Sequence, residues 1–401
     1  MSNPAKMSLQ SLSTFRSDEV MDFAPMDHDE RSKPFDFDVT HRDLIHQVAI
    51  RESSFVPVAF DHHGRRLATC SSDMTLSVWD RTADGSWKKA ASWKVHGGAV
   101  WRVVWAHPEF GQLLATCSYD RSVHIWEEIR SDPSGGSKGG RWVRKAYLTD
   151  SRANVTDIKF APRHLGLILA TVSAQGIVRV YEAADVMDLS RWSLCHELQA
   201  FYTRCGCVEW SRSRIHRPLL AVSSDDKRAE SDERIVIYEH NETLRKWQRV
   251  ISLRLDLSYP VTDLQFSPIA LATSHQLAVA AGDVHVYNIQ IPVSAFIDDE
   301  NCNTGNIPTD AVEYSSKKVA VLGDQRHAWR IKYNVTGTVL TASSTDGTIR
   351  VWKAMFLNQW ALLTEMSAED YLEERELMRM KGVLCETGRG DGEAFHRKTY
   401  Y

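Results

Sequence analysis

Cys205 and Cys207 stand one residue apart and are the tightest pairing of soft ligands in the chain. A zinc site of two such pairs needs a wider spacing within each pair and a second pair downstream, and neither is present. On a strand, residues two apart share a face, so the two thiols read as neighbours in a core. His62-His63 beside Gly64 could ligate a metal, but two histidines next to a glycine fit a solvated turn better. The glycine-rich stretch Ser131–Arg141 carries one lysine and suggests a phosphate cradle. It lacks the Gly-Lys-Ser/Thr ending and opens no helix, so it reads as a flexible linker. No G-x-S-x-G elbow, zincin motif or P-loop occurs, and no spacing gathers the remaining histidines and acids into a catalytic set. We expect no enzyme activity, no metal and no cofactor. The chain is instead expected to offer a rigid platform whose loops and edges hold other proteins.

Bulk properties agree with that expectation. The 401 residues include 48 Lys+Arg against 52 Asp+Glu, a net charge of −4, with 43% hydrophobic residues. This is the composition of an ordinary globular chain, without the basic excess of a nucleic-acid binder or a polybasic lipid anchor. The longest clean apolar run, Leu165–Val172, is eight residues, far short of the roughly 20 that a transmembrane helix needs. The N-terminus lacks the apolar core of a secretory signal, and seven cysteines without framework spacing read as reduced thiols. A nuclear or cytosolic setting follows, in which the Asn-x-Thr matches at Asn154, Asn241 and Asn334 are coincidental.

Self-similarity decides the fold. Six segments align on a leading leucine: Leu67–Asp73, Leu114–Asp120, Leu169–Gln175, Leu220–Asp226, Leu277–Asp283 and Leu340–Asp346. Four of them reach an aromatic after twelve residues, at Trp79, Trp126, Tyr181 and Trp352; Tyr238 and Tyr287 serve the other two, after 18 and 10. A short apolar run precedes each copy: Val58–Phe60, Val103–Trp105, Ile158–Phe160, Val208–Trp210, Leu264–Phe266 and Ile331–Tyr333. Each unit therefore reads strand, turn, strand, Asp-containing turn, strand ending in an aromatic, then a variable fourth strand. Such a unit repeated radially is a blade of a WD-repeat β-propeller. We assign structural roles to Asp73, Asp120, Asp226 and Asp346, whose carboxylates suit a tight turn, and to Trp79, Trp126, Tyr181, Tyr238 and Trp352, which pack between blades.

The predicted division is an N-terminal extension over 1–38, expected to be disordered, a six-bladed propeller over 39–360, and a tail over 361–401. Ser367-Ala-Glu-Asp370 resembles a capping box, so the tail is expected to form one short helix over Ser367–Lys381 and no strand. At about fifty residues per unit there is no room for a seventh blade. Residues alone permit a closed six-bladed ring or an open one that a partner completes, because bare blade faces must be covered.

Several stretches resemble one family. Asp43–Val48, His63–Asp73 and Val100–Gly111 are similar to the opening blades of the coat propellers shared by COPII vesicle coats and the nuclear pore. Val155–Pro162, Asp185–Leu194 with its Ser-Arg-Trp-Ser run, the Tyr181-Glu182 ending, Trp329–Leu340 and Gly347–Lys353 look like the Seh-type nucleoporin branch, over about residues 41–360. The resemblance implies an open six-bladed propeller that takes a seventh blade in trans from a helical nucleoporin, by β-augmentation. It implies a scaffold in the Y-shaped outer ring of the pore, serving mRNA and protein transport beside other Y-complex subunits. It also implies a second place in the GATOR nutrient-signalling coat at the lysosome. On this reading Asp43, Leu44, Ile45 and His46 on one side, and Trp329 and Tyr333 on the other, are expected to flank the partner blade. A substrate receptor or signalling adaptor is the alternative, but the W-D-x-R docking box it would use is broken at Trp79-Asp-Arg-Thr82.

Overall fold

The computed structural model describes residues 58–83, 85–129, 140–225, 233–241, 244–254, 259–271, 273–292, 314–323, 327–355 and 359–367. The 1–38 extension, Asp43–His46, Asp226 and nearly all of the 131–141 loop lie outside the described residues, as does the expected helix beyond its first residue.

Six four-stranded antiparallel sheets follow one another, each with its strands in chain order. The first blade is β1 (Val58–Phe60), β2 (Arg66–Cys70), β3 (Thr75–Arg81) and β4 (Trp87–Lys94); the second is β5 (Val100–Trp105), β6 (Leu113–Ser118), β7 (Val123–Ile129) and β8 (Arg141–Leu148). The third is β9 (Val155–Phe160), β10 (Ile168–Ser173), β11 (Ile177–Ala183) and β12 (Trp192–Gln199); the fourth is β13 (Cys205–Trp210), β14 (Leu219–Ser224), β15 (Glu233–Asn241) and β16 (Lys246–Arg254). The fifth is β17 (Asp263–Phe266), β18 (Ser274–Ala281), β19 (Asp283–Gln290) and β20 (Ser315–Leu322); the sixth is β21 (Ala328–Tyr333), β22 (Val339–Ser344), β23 (Thr348–Ala354) and β24 (Trp360–Ser367). This is the expected six-bladed propeller.

One boundary needs correction. The propeller does not stop at 360: β24 continues to Ser367, pairing Ser367 with Thr348 and Trp360 with Ala354. The tail therefore begins with a strand. As an outer strand with mostly solvated side chains, β24 lacks the apolar alternation by which a strand is read, and the capping-box signal of Ser367 obscured it.

The aromatic of each third strand carries a shared device. In all six blades the ladder between the third and fourth strands slips just before it: Val78/Trp79, Ile125/Trp126, Val180/Tyr181, Ile237/Tyr238, Val286/Tyr287 and Val351/Trp352. A bulge re-aims a side chain at the cost of one ladder pairing. Its recurrence makes Tyr238 and Tyr287 true equivalents of the tryptophans despite their irregular spacing. The turn before the third strand also repeats in the first, second, third and sixth blades. Met74, Arg121, Gly176 and Gly347 all have positive φ, a conformation that costs a side chain energy. Gly176 has no alternative, because a Cβ there would lie 1.9 Å from the Phe201 carbonyl oxygen.

The core consists of a stack of inter-blade layers. Ala68, Cys70, Leu76 and Val78 of the first blade meet Val100, Val103, Leu114 and Trp126 of the second. The same kind of layer joins the second to the third, the third to the fourth, the fourth to the fifth and the fifth to the sixth. Each of the second to fifth blades thus has one face toward its predecessor and one toward its successor.

Candidate partner surface

The turn aspartates hold blades together. Asp120 accepts hydrogen bonds from the Ser122 backbone N–H (3.0 Å) and hydroxyl (2.6 Å) and from the Gly97 N–H (2.9 Å), and it pairs with His96 Nδ1 at 3.0 Å. The fully buried His96 side chain also contacts the Thr116 hydroxyl at 2.9 Å, to which Trp126 donates at 3.4 Å. Burial pushes the Asp120 carboxyl up, but the Ser122, Gly97 and His96 contacts outweigh it and hold the group down to about 2. Asp73 and Asp346 accept from the Thr75 and Thr348 backbone and hydroxyl groups, and Asp346 also lies 3.9 Å from Arg350. Trp79 donates to Thr69, Tyr181 to Asp150 and Tyr238 to the Gln199 carbonyl. Trp352 is buried between the fifth and sixth blades. We therefore expect Asp120→Ala to cost about 1–3 kcal/mol and Asp346→Ala, at a more exposed carboxylate, less. Urea unfolding of both variants checks the order, and equal losses would contradict it.

Sequence reasoning missed His96 and Thr116. The signal was the His96-Gly97 pair just ahead of the second blade, whose partner Asp120 lies 24 residues away. The cysteines are core thiols, but they do not share a face: a register shift in β13 puts Cys205 in the layer toward the third blade and Cys207 in the layer toward the fifth. Both are buried, burial lifts both thiols, Cys207 to about 12, and Cys207 donates to the Thr262 carbonyl. Among the described residues no cluster of three or more His, Cys, Asp or Glu could hold a metal ion. Asp80, the acid of the broken docking box, is engaged by Arg66 at 2.8 Å.

The exceptional surface appears when equivalent positions are compared across the blades. The first residue of the inner-strand motif is Val103, Ile158, Val208, Leu264 or Ile331, none more than 2% exposed, whereas Val58 in the first blade is 50% exposed. Phe60, two residues on, is 56% exposed and covers Trp87 from outside, with ring centroids 5.8 Å apart. At the other end of the chain, the position three before the bulged aromatic is Leu76, Val123, Val178, Ile235 or Val284, again at most 2% exposed, but Ile349 in the sixth blade is 44% exposed. Its neighbours on that face, Thr341, Ser343 and Val351, are only half-buried. The corresponding second-blade residues, Ala115, Cys117 and Ile125, are fully buried. The exchange of Ala and Cys for Thr341 and Ser343 was legible in the sequence. A face that meets water tolerates hydroxyls, and one that meets another blade does not.

Inner strands pack in series, β1 on β5, β5 on β9, β9 on β13, β13 on β17 and β17 on β21. Among the described residues no comparable packing returns β21 to β1. Of the residues expected beside the gap, Trp329 is half-buried. Tyr333 sits in the layer between the fifth and sixth blades, donating to Gln276 at 3.3 Å, and so belongs to the opposite side of the sixth blade from Ile349. Asp43, Leu44, Ile45 and His46 lie outside the described residues.

Residues 58–80, 87–127 and 316–353 match the family model described as WD domain, G-beta repeat. The chain is 55% identical over 356 residues to a Caenorhabditis elegans protein named Nucleoporin SEH1, covering 88% of this chain and 94% of that one. It is 45% identical over 324 residues to Nucleoporin SEH1 of Homo sapiens, covering 80% and 84%, and 44% identical over 324 residues, with the same coverage, to Nucleoporin SEH1-A of Xenopus laevis.

Proposed function

Because the chain belongs to the nucleoporin SEH1 family, we propose that it accepts a seventh blade, supplied by a helical nucleoporin, between its sixth and first blades. The chain is a scaffold propeller of the nuclear pore at the nuclear envelope, it works with other pore subunits, and it is not an enzyme. The finer reading places it in the outer-ring Y-complex, in support of mRNA and protein transport. The observation that carries this reading is the loss of burial at Val58 and Ile349, the only two of twelve equivalent positions that are solvated. An inserted blade would cover both faces with apolar side chains and add backbone hydrogen bonds at a strand edge, and it would remove the aggregation hazard of exposed edges.

Co-expression of the full chain with the N-terminal segment of a helical nucleoporin is expected to give a stable complex. Val58→Asp or Ile349→Asp should each weaken it by about 2 kcal/mol or more, as central interface positions do. The melting temperature of the free chain should hold, because both side chains already meet water. Full binding by both variants overturns the proposal. By resemblance, the same faces serve a second assembly, the GATOR coat at the lysosome; if so, Ile349→Asp should leave both assemblies together, and loss from the pore alone would refute the shared use.

A further inference from the structure

The inner strands carry charged or amide side chains at two equivalent levels. The upper level, opposite the third residue after the repeat's leading leucine, holds Arg102, Asp157, Asp263 and Arg330. The lower level, two residues further on, holds Lys159, Glu209, Gln265 and Lys332.

Pairing within these levels has a direction. Arg102 of the second blade donates to Asp157 of the third through Nε and Nη2, at 2.5 and 3.0 Å. Lys159 of the third blade donates to Glu209 of the fourth at 2.6 Å. The acids themselves also reach forward: Asp157 accepts from the Val208 N–H and Asp263 from the Ile331 N–H. Arg102, Lys159, Asp157 and Asp263 each find a partner on the next blade.

The sixth blade ends both levels with a cation and has no next blade. Arg330 reaches back to Asp263 at 3.6 Å, yet its buried Nη1 makes no hydrogen bond. Lys332 is exposed. Lys159 of the third blade presses the Lys332 ammonium down to about 8, with Glu209 and Asp263 opposing. Neither cation has a hydrogen-bonded acid among the described residues, and by the forward direction of pairing on the earlier blades both are the groups that a following inner strand would meet.

We propose that the strand inserted beside β21 carries two acidic residues separated by one, an acid-x-acid pair, the first facing Arg330 and the second facing Lys332. This rests on the proposed insertion and names the chemistry by which the blade is chosen. Apolar burial alone accepts many strands, whereas a charge pair at a fixed register selects one strand and one alignment.

The test uses the full chain in its native complex. A benzophenone amino acid in place of Ile349 is photoactivated, and the cross-linked segment is sequenced. The expected product is a foreign strand containing acid-x-acid. Lys332→Glu should weaken that complex about tenfold or more, and lysine in place of the second acid of the partner should restore it. The melting temperature of free Lys332→Glu, an exposed substitution, serves as the folding control. A foreign strand without the acids, or unchanged affinity of Lys332→Glu with normal folding, overturns the charge rule and leaves the inserted blade standing. Cross-links only within the chain itself overturn both.

Discussion

Asp157→Ala is expected to destabilise the protein by about 3–5 kcal/mol, the cost of removing one member of a buried ion pair. Asp157 is 1% exposed. Besides Arg102, it accepts from the N–H groups of Ile158 (2.9 Å) and Val208 (3.2 Å). Burial alone would raise its carboxyl, but Arg102 outweighs that and keeps it ionised. Alanine would leave the Arg102 guanidinium without its bidentate partner, with Asp263 no nearer than 3.9 Å. The second, third and fourth blades would loosen together, since one carboxylate ties all three. Urea unfolding measures the loss, read as a lower midpoint at constant slope. The double variant Arg102→Met with Asp157→Leu should recover most of it, because apolar pairs replace buried ion pairs at little cost. A single-variant loss below about 1 kcal/mol would show that the pair is relaxed by water.

Acid should weaken the fold through histidines before it reaches the carboxylates. His124 lies buried against His96, ring centroids 3.9 Å apart. Burial, then the neighbouring His96 and Arg144, pull it from 6.5 down to about 4. His275 is buried with an unsatisfied Nε2, and burial followed by His216 lowers it to about 3. A group whose folded value is depressed contributes stability that is complete above its unfolded value. That contribution is lost as pH falls through the interval between the two values. For these histidines the loss begins near pH 6.5 and continues toward pH 4 and pH 3. At about 1.4 kcal/mol per unit and group, the decline by pH 4.5 is on the order of several kcal/mol. By contrast, the contribution of Asp120 disappears only below pH 4, toward about 2. Melting temperatures from pH 7.5 to 4.5 test this. The slope should flatten in a His124→Asn, His275→Asn double variant, and an unchanged slope would count against the histidine origin.

The amino-acid sequence by itself determined the architecture, because each blade is written locally. A leucine, a turn and a bulged aromatic lie within about twenty residues of one another, so the period survives even where Tyr238 and Tyr287 fall in irregular frames. The inner-strand runs were legible for the same reason, including the short Val58–Phe60. The outer strand β24 was not, since a solvated strand has little apolar alternation to betray it. Tertiary structure alone decided which residues of these repeated units lack a neighbour. Val58 and Ile349 look like their five counterparts in type; only the ring order, which puts the first and sixth blades at the two ends of the packing series, leaves them in water. The same holds for charge. Arg102 and Asp157 are 55 residues apart, and nothing in either local segment announces the other. An ion pair depends on distance in space, while a repeat depends on distance along the chain, and only the second can be read before the chain is folded.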